Sequence, residues 1–461
     1  MILLAWRQAL FDPRSLAAIA AISLASTLAL SLVGSAAIFE ALQAPEGQGA
    51  FGSIAAFTLL TLATSVSSTA SLGVRVNRRL FASWMIVGVT PRQVSQALLV
   101  RSVVSATAGA LLAVPFAAGL VSPVTSGYAS LGILPRSPSP AEALSVTTSA
   151  TTIAAALVIV LVGLATLPAA LSASRTSPAL TLRETDREVR ASPLVRWLVA
   201  GAILLLTQPP TVGALLIGAS PPGVEAISDT LGITPAIRVI ALASSVSLWL
   251  VIGAAIVMPA SARRLILLWT ACLPRQLSAT WHLARHAAAE RVSVASSTVV
   301  IGGIVIGLVG SVQGAVDVAR LIDAPPDSHW AELIWTLGPS AAVALVGGGV
   351  ALTIGRAAEE HDSHLLADMG ASTIQRLSLD LLKVVIYTIT ALLPALCIWA
   401  LSVTTAALVA PFLGVPITPT PPDARPLIVA AALITVANAV AVLGAHVTPS
   451  QWVRGGRDAH R

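Results

Sequence analysis

The chain has 461 residues, of which 56% are hydrophobic and 10% charged, with a formal net charge of +6 and a mean hydropathy of +0.86. A soluble core of this size needs a charged surface to stay dispersed, so the composition excludes an ordinary water-soluble domain and makes lipid the solvent. Two cysteines, Cys272 and Cys397, allow one bridge at most and have no metal or redox spacing.

Crossing the hydrocarbon core takes about 20 apolar residues, and ten windows of that kind follow one another at 15–39, 51–74, 97–124, 146–171, 197–219, 239–259, 294–316, 333–355, 384–412 and 427–445. The expected fold is an all-α integral membrane protein. The first window follows Arg7 and Arg14 and is longer than the core of a signal peptide, so it reads as an uncleaved anchor. An amphipathic stretch at 3–10, with Trp6, precedes it and reads as a helix lying in the membrane interface.

In the second window Thr58, Thr61, Ser65 and Ser68 share one helical face, which suits either close packing between helices or a lining that faces a substrate. After it comes Gly88-Val89-Thr90-Pro91-Arg92-Gln93, in which Thr90 is a natural N-cap and Pro91 occupies the favoured first helical position. The helix so started runs into the third window, so a push on its capped end moves the whole span. Pro115 in the third window and Pro394 in the ninth are candidate kinks. The fifth window holds Gln208-Pro209-Pro210 near its middle, which fits a kinked or re-entrant segment. A second interfacial helix is expected at 281–289, and Gly347-Gly348-Gly349 in the eighth window permits close approach or bending.

Lys and Arg concentrate on the cytoplasmic side of membrane proteins. With the N-terminus inside, 23 of the 27 basic residues fall on inner segments, and only Arg136, Arg238, Arg320 and Arg425 fall outside. That split predicts cytoplasmic termini, and it accounts for the basic balance through anionic headgroups, with no nucleic acid required. The outer segments are short and carry ten acids, Asp317 and Asp423 among them. Such a mouth either attracts cations or merely reflects the exclusion of arginine from outer loops.

The chain repeats itself. Gly88-Val89-Thr90-Pro91-Arg92-Gln93 aligns with Gly370-Ala371-Ser372-Thr373-Ile374-Gln375 at an offset of 282, where Arg101 also meets Lys383. Arg7, Asp12 and Ser15 align with Arg285, Glu290 and Ser293 at 278, and Ser177-Pro178 and Arg183 with Thr448-Pro449 and Arg454 at 271. Three matches in one order define a four-span unit used twice. The expected organisation is a first unit at 1–192, a two-span insert at 193–262 and a second unit at 263–461.

Catalytic chemistry has no foothold in these residues. A phosphate-binding loop needs Gly-x-x-x-x-Gly-Lys-Ser/Thr, and the single lysine, Lys383, lacks that context. His282 and His286 have a spacing that can hold a metal but no third ligand beside them, so no metal site is assigned. The central thirds of the windows are essentially free of charge, which argues against a proton-coupled carrier.

The stretch from Leu80 to Val94, Leu-Phe-Ala-Ser-Trp-Met-Ile-Val-Gly-Val-Thr-Pro-Arg-Gln-Val, together with Ser177-Pro178-Ala179-Leu180-Thr181-Leu182-Arg183, resembles the FtsX-like permeases of ATP-binding-cassette transporters. The segment from His364 to Gln375 resembles the same element more weakly. The resemblance covers roughly two thirds of the chain. It implies a bacterial plasma-membrane permease subunit, not itself an enzyme, that exports hydrophobic or amphipathic molecules such as antimicrobial peptides, lipids or lipophilic drugs. ATP and Mg would sit on a separate ATPase, two copies of it, and the coupling residues would be Trp84, Gly88, Thr90, Pro91, Arg92 and Gln93 with Gly370, Ser372 and Gln375. The alternative within the same resemblance is a transmitter that relays ATPase closure to a cell-wall hydrolase or a sensor kinase.

Overall fold

Backbone amides have no water to bond in hydrocarbon, so apolar runs of this length must satisfy their hydrogen bonds internally and fold as helices. The computed structural model describes residues 13–43, 50–131, 134, 136–174, 198, 235–272, 278–290, 292–321, 329–413 and 423–447. Among them every regular element is helical: α1 (Pro13–Gln43), α2 (Ala50–Val76), α3 (Arg78–Ile86), α4 (Pro91–Ser130), α5 (Pro140–Ser174), α6 (Pro235–Ala271), α7 (Ala279–Glu290), α8 (Val292–Leu321), α9 (His329–Asp368), α10 (Thr373–Val409) and α11 (Arg425–Val447), with a 3-10 turn at Ala410–Leu413. Nine of the described helices, all but α3 and α7, are long and apolar enough to cross a membrane. The expected fifth span at 197–219, the interfacial helix at 3–10 and the matched segments at 177–183 and 448–454 lie outside the described residues.

Two expectations need correction. The sixth span was placed at 239–259, but α6 continues through Pro259 to Ala271, so the expected boundary at 262 falls inside a helix. Arg263 and Arg264, which suggest an end, are exposed, while Ala262, Ile266 and Thr270 are buried at helical spacing on the other side of the same helix. Asp317 was assigned to a solvated outer segment. Instead it lies within α8, 3% exposed, where its carboxylate accepts from Gln313 Nε2 at 2.9 Å and from Trp399 Nε1 at 3.0 Å. Its other partners are the Asp423 amide at 3.3 Å and the Arg320 guanidinium at 3.6 Å, so this acid joins α8, α10 and the start of α11.

The helices of the first four spans and those of the last four pair in the same way. In the first set α1 packs on α2, α4 and α5, and α4 on α5; in the second α8 packs on α9, α10 and α11, and α10 on α11. The two sets meet through α2 against α9 and exchange partners, with α1 against α9 and α8 against α2. Lipid supplies little hydrophobic drive for helix association, so close packing of small side chains carries it. At Gly109 of α4 an added Cβ would strike the Ala20 carbonyl of α1, and at Gly314 of α8 one would lie 2.9 Å from the Ser402 Cβ of α10. Helix α6 lies against α8 and α10, and α7 against α10 and α6, where Trp281 meets Trp269 edge-on at 6.3 Å.

The seam between α2 and α9 has a specific geometry. The Thr58 and Ser340 hydroxyls are 3.4 Å apart, and these residues are 282 apart in sequence. A Cβ on Gly347 would fall 2.9 Å from that of Ser65, again across a separation of 282. Residues that face their own counterparts lie on a pseudo-twofold axis. Two such pairs, seven residues apart along the chain, place that axis alongside the helices, so α2 and α9 run parallel and the segments that follow them leave the bundle at one end.

Candidate functional site

That end carries the two turns singled out in the sequence. In the first, Gly88 has φ +99° and is followed by Thr90, whose hydroxyl accepts from the Gln93 amide at 3.4 Å while the Gln93 side chain accepts from the Thr90 amide at 2.9 Å. In the second, Gly370 has φ +89°, and Ser372 and Gln375 make the same reciprocal bonds at 3.2 and 2.9 Å. This capping box satisfies two amide groups that a helix start otherwise leaves orphaned. The preceding helices also end alike: the Val89 amide reaches the Trp84 carbonyl at 3.0 Å, and the Ala371 amide reaches Leu366 at 2.9 Å. Each glycine adopts the left-handed conformation that closes a helix and disfavours any residue with a Cβ. Beyond each cap the helix runs unbroken, for 40 residues in α4 and 37 in α10.

The supports behind the turns differ. Helix α2 ends where the Asn77 side chain bonds back to the Gly73 carbonyl at 3.1 Å, and the chain refolds as the short α3. Phe81 and Trp84 of α3 pack edge-on at 5.5 Å and bury themselves with Val89, Val94, Ala97 and Ala173. No such break interrupts α9, which runs continuously to Asp368. At the second turn Leu365, Met369 and Ile374 are exposed, Ile374 at 78% where the first turn presents the exposed Arg92.

Comparison with protein-family models, with curated proteins and with solved structures finds no match. The residues themselves must therefore carry the functional reading. Gly88, Thr90, Pro91 and Arg92 are exposed, Gln93 is half-buried, and Trp84 is buried beneath them; Gly370, Ser372 and Gln375 are exposed. These nine residues gather into two like-shaped protrusions. Thr58, Thr61 and Ser65 are buried in the α2–α9 region, and Ser68 is half-buried. The Thr58 and Thr61 hydroxyls donate to carbonyls four residues back at 2.8 Å each. Ser65 faces Gly347, so this face is packed against its neighbour.

Sequence reading missed two buried polar positions. Gln313 and Asp317 are four apart in an otherwise apolar helix, and that spacing could have pointed to the pair. Arg101 was counted with the inner loops but sits in α4 at 7% exposure. Its alignment with Lys383, itself 9% exposed, was the available signal.

Proposed function

We propose that the chain is the membrane subunit of an ATP-driven exporter in the bacterial plasma membrane, moved by a separate ATPase that docks on the Gly88 and Gly370 turns. The observation behind this reading is the recurrence of one turn geometry twice at one end of the bundle, each time as the capped start of a helix that crosses it. A protein pressing on either cap transmits displacement along a rigid rod about 60 Å or 55 Å long, at 1.5 Å per residue. Two symmetry-related rods suit a partner with two copies, and ATP with Mg belongs to that partner. The cargo class is amphipathic or lipophilic, because a path lined by hydroxyls and small apolar side chains imposes little desolvation on such molecules. The cytoplasmic address of the turns follows from the distribution of arginine.

The test is co-expression of the tagged chain with the ATPase encoded beside it, followed by ATPase measurement in lipid nanodiscs. The expected result is a stable complex whose hydrolysis loses its coupling when Gly88→Trp is combined with Arg92→Glu. Failure of any ATPase to co-purify, or unchanged coupled activity in the double variant, would reject docking at the turns.

A further inference from the structure

A cavity of about 50 Å3 opens at the turn end of the first four spans. It is several times the ~10–15 Å3 that a single water requires. Ala18 and Ile19 of α1, Thr69 and Val74 of α2, Leu98 and Arg101 of α4, and Ala170 of α5 contribute to its wall, and Phe81 of α3 closes it towards the turn. Arg101 is the single charged side chain in that wall.

Three observations point to a ligand. The first is an unspent donor. Thr69 is 2% exposed, and its hydroxyl has no hydrogen-bond partner. The other lining hydroxyls are satisfied within their own helices, Ser102 on the Leu98 carbonyl at 2.9 Å and Thr166 on that of Gly163 at 3.0 Å. Asn77 is likewise committed, to the Gly73 carbonyl at 3.1 Å.

The second comes from the matched position in the second unit. There Lys383 corresponds to Arg101, and its ammonium meets the Asp380 carboxylate at 3.3 Å. At the offset of 282, Asp380 corresponds to Leu98, which lines the cavity. The second unit thus carries a built-in carboxylate where the first has an apolar wall and open volume.

The third is depth. Arg101 lies four residues inside the apolar window that starts at 97, on the order of 6 Å at the helical rise. That is within reach of a headgroup.

We infer that this cavity binds the phosphate of an anionic amphipath, with the Arg101 guanidinium as its cation and the Thr69 hydroxyl as a donor. Guanidinium and phosphate form charge-assisted, bidentate hydrogen bonds. Ile19, Val74 and Leu98 give the adjoining hydrocarbon an apolar seat. The cavity wall includes Asn77 and Phe81, where α2 gives way to α3, so occupancy stiffens the support of the first turn. This inference stands apart from the assignment of an ATPase partner.

Native mass spectrometry of the purified full chain, titrated with phosphatidylglycerol and phosphatidylcholine, tests it. The wild type is expected to retain one phosphatidylglycerol with roughly tenfold preference, the increment of one charge-assisted contact. Arg101→Met removes the preference, and Leu98→Asp removes it by supplying an internal carboxylate as in the second unit. Thr69→Val, which preserves shape, lowers it roughly threefold as one hydrogen bond is lost. Lys383→Met leaves it unchanged. Displacement of the lipid by millimolar inorganic phosphate supports the phosphate site and identifies the headgroup as its recognised part; resistance to it supports a site that also needs the acyl chain. Equal retention of the two lipids, persistence of the preference in both Arg101→Met and Leu98→Asp, or an equal loss in Lys383→Met would overturn the inference.

Discussion

The two turns share a backbone and differ in what stands behind them. The first rests on a wedge: Asn77 ends α2, α3 folds over, and Phe81 and Trp84 fix it against the start of α4 and the end of α5. The second is the bare tip of the continuous α9, with Leu365, Met369 and Ile374 facing outward. Identical hydrogen-bonding geometry therefore does not imply identical mechanics. A load on the first turn is shared among three helices before it reaches the bundle, while a load on the second passes along α9 and α10 alone. The first turn is preassembled, and the second offers unburied apolar surface that gains most from a partner.

The largest effect expected from this difference is at Trp84. Trp84→Ala should lower stability by about 3–5 kcal/mol, as for other buried aromatic truncations, and the matched Leu366→Ala should cost distinctly less because Leu366 is half-buried. Thermal unfolding of the two variants in detergent measures this, and equal losses would break the distinction. Gly88→Ala and Gly370→Ala should each cost about 1–2 kcal/mol, the penalty of a left-handed residue with a Cβ. No atom lies within 4 Å of either added Cβ, so the cost is conformational and should be the same at both turns. Thr90→Ala and Ser372→Ala should each cost about 1 kcal/mol as capping losses, with Thr90→Ser close to neutral; circular dichroism melts read both. The smallest stability change, within about 0.5 kcal/mol, belongs to Met369→Ser and Ile374→Ser, which alter exposed side chains. The same pair should nonetheless weaken ATPase docking roughly tenfold as apolar interface area is lost, measurable by titrating the ATPase onto nanodiscs. No change in that titration would remove the second turn from the docking surface.

Much of this architecture can be read from residue order, because lipid imposes a fixed length on apolar windows and few alternatives to helix. Nine of the ten expected spans have a counterpart among the described helices, and the tenth lies outside them. Thr90 and Gln93, like Ser372 and Gln375, announce their capping boxes by type and spacing alone. The break at Asn77 is not legible in that way. Its side-chain bond to Gly73 has local signals, yet what holds α3 in place is burial of Phe81 and Trp84 against Ala173, nearly ninety residues on. The extent of α6 was hidden for a similar reason: two arginines resemble a span end until the packed face opposite them is known. Asp317 looked solvated because α8 reaches past its apolar window. Trp399 and the Asp423 amide, its partners, come from helices far along the chain.

The seam where Ser65 meets Gly347 has a consequence for the chain's ancestry. In a dimer of two identical units, whatever occupied this position would confront a copy of itself. Two serines would bring Cβ atoms to 2.9 Å, below any ordinary contact, and two glycines would leave the helices without a side chain between them. Joining both copies in one polypeptide removes that constraint. A serine can then be placed on one helix and the space for it on the other, a pairing that a symmetric dimer cannot encode.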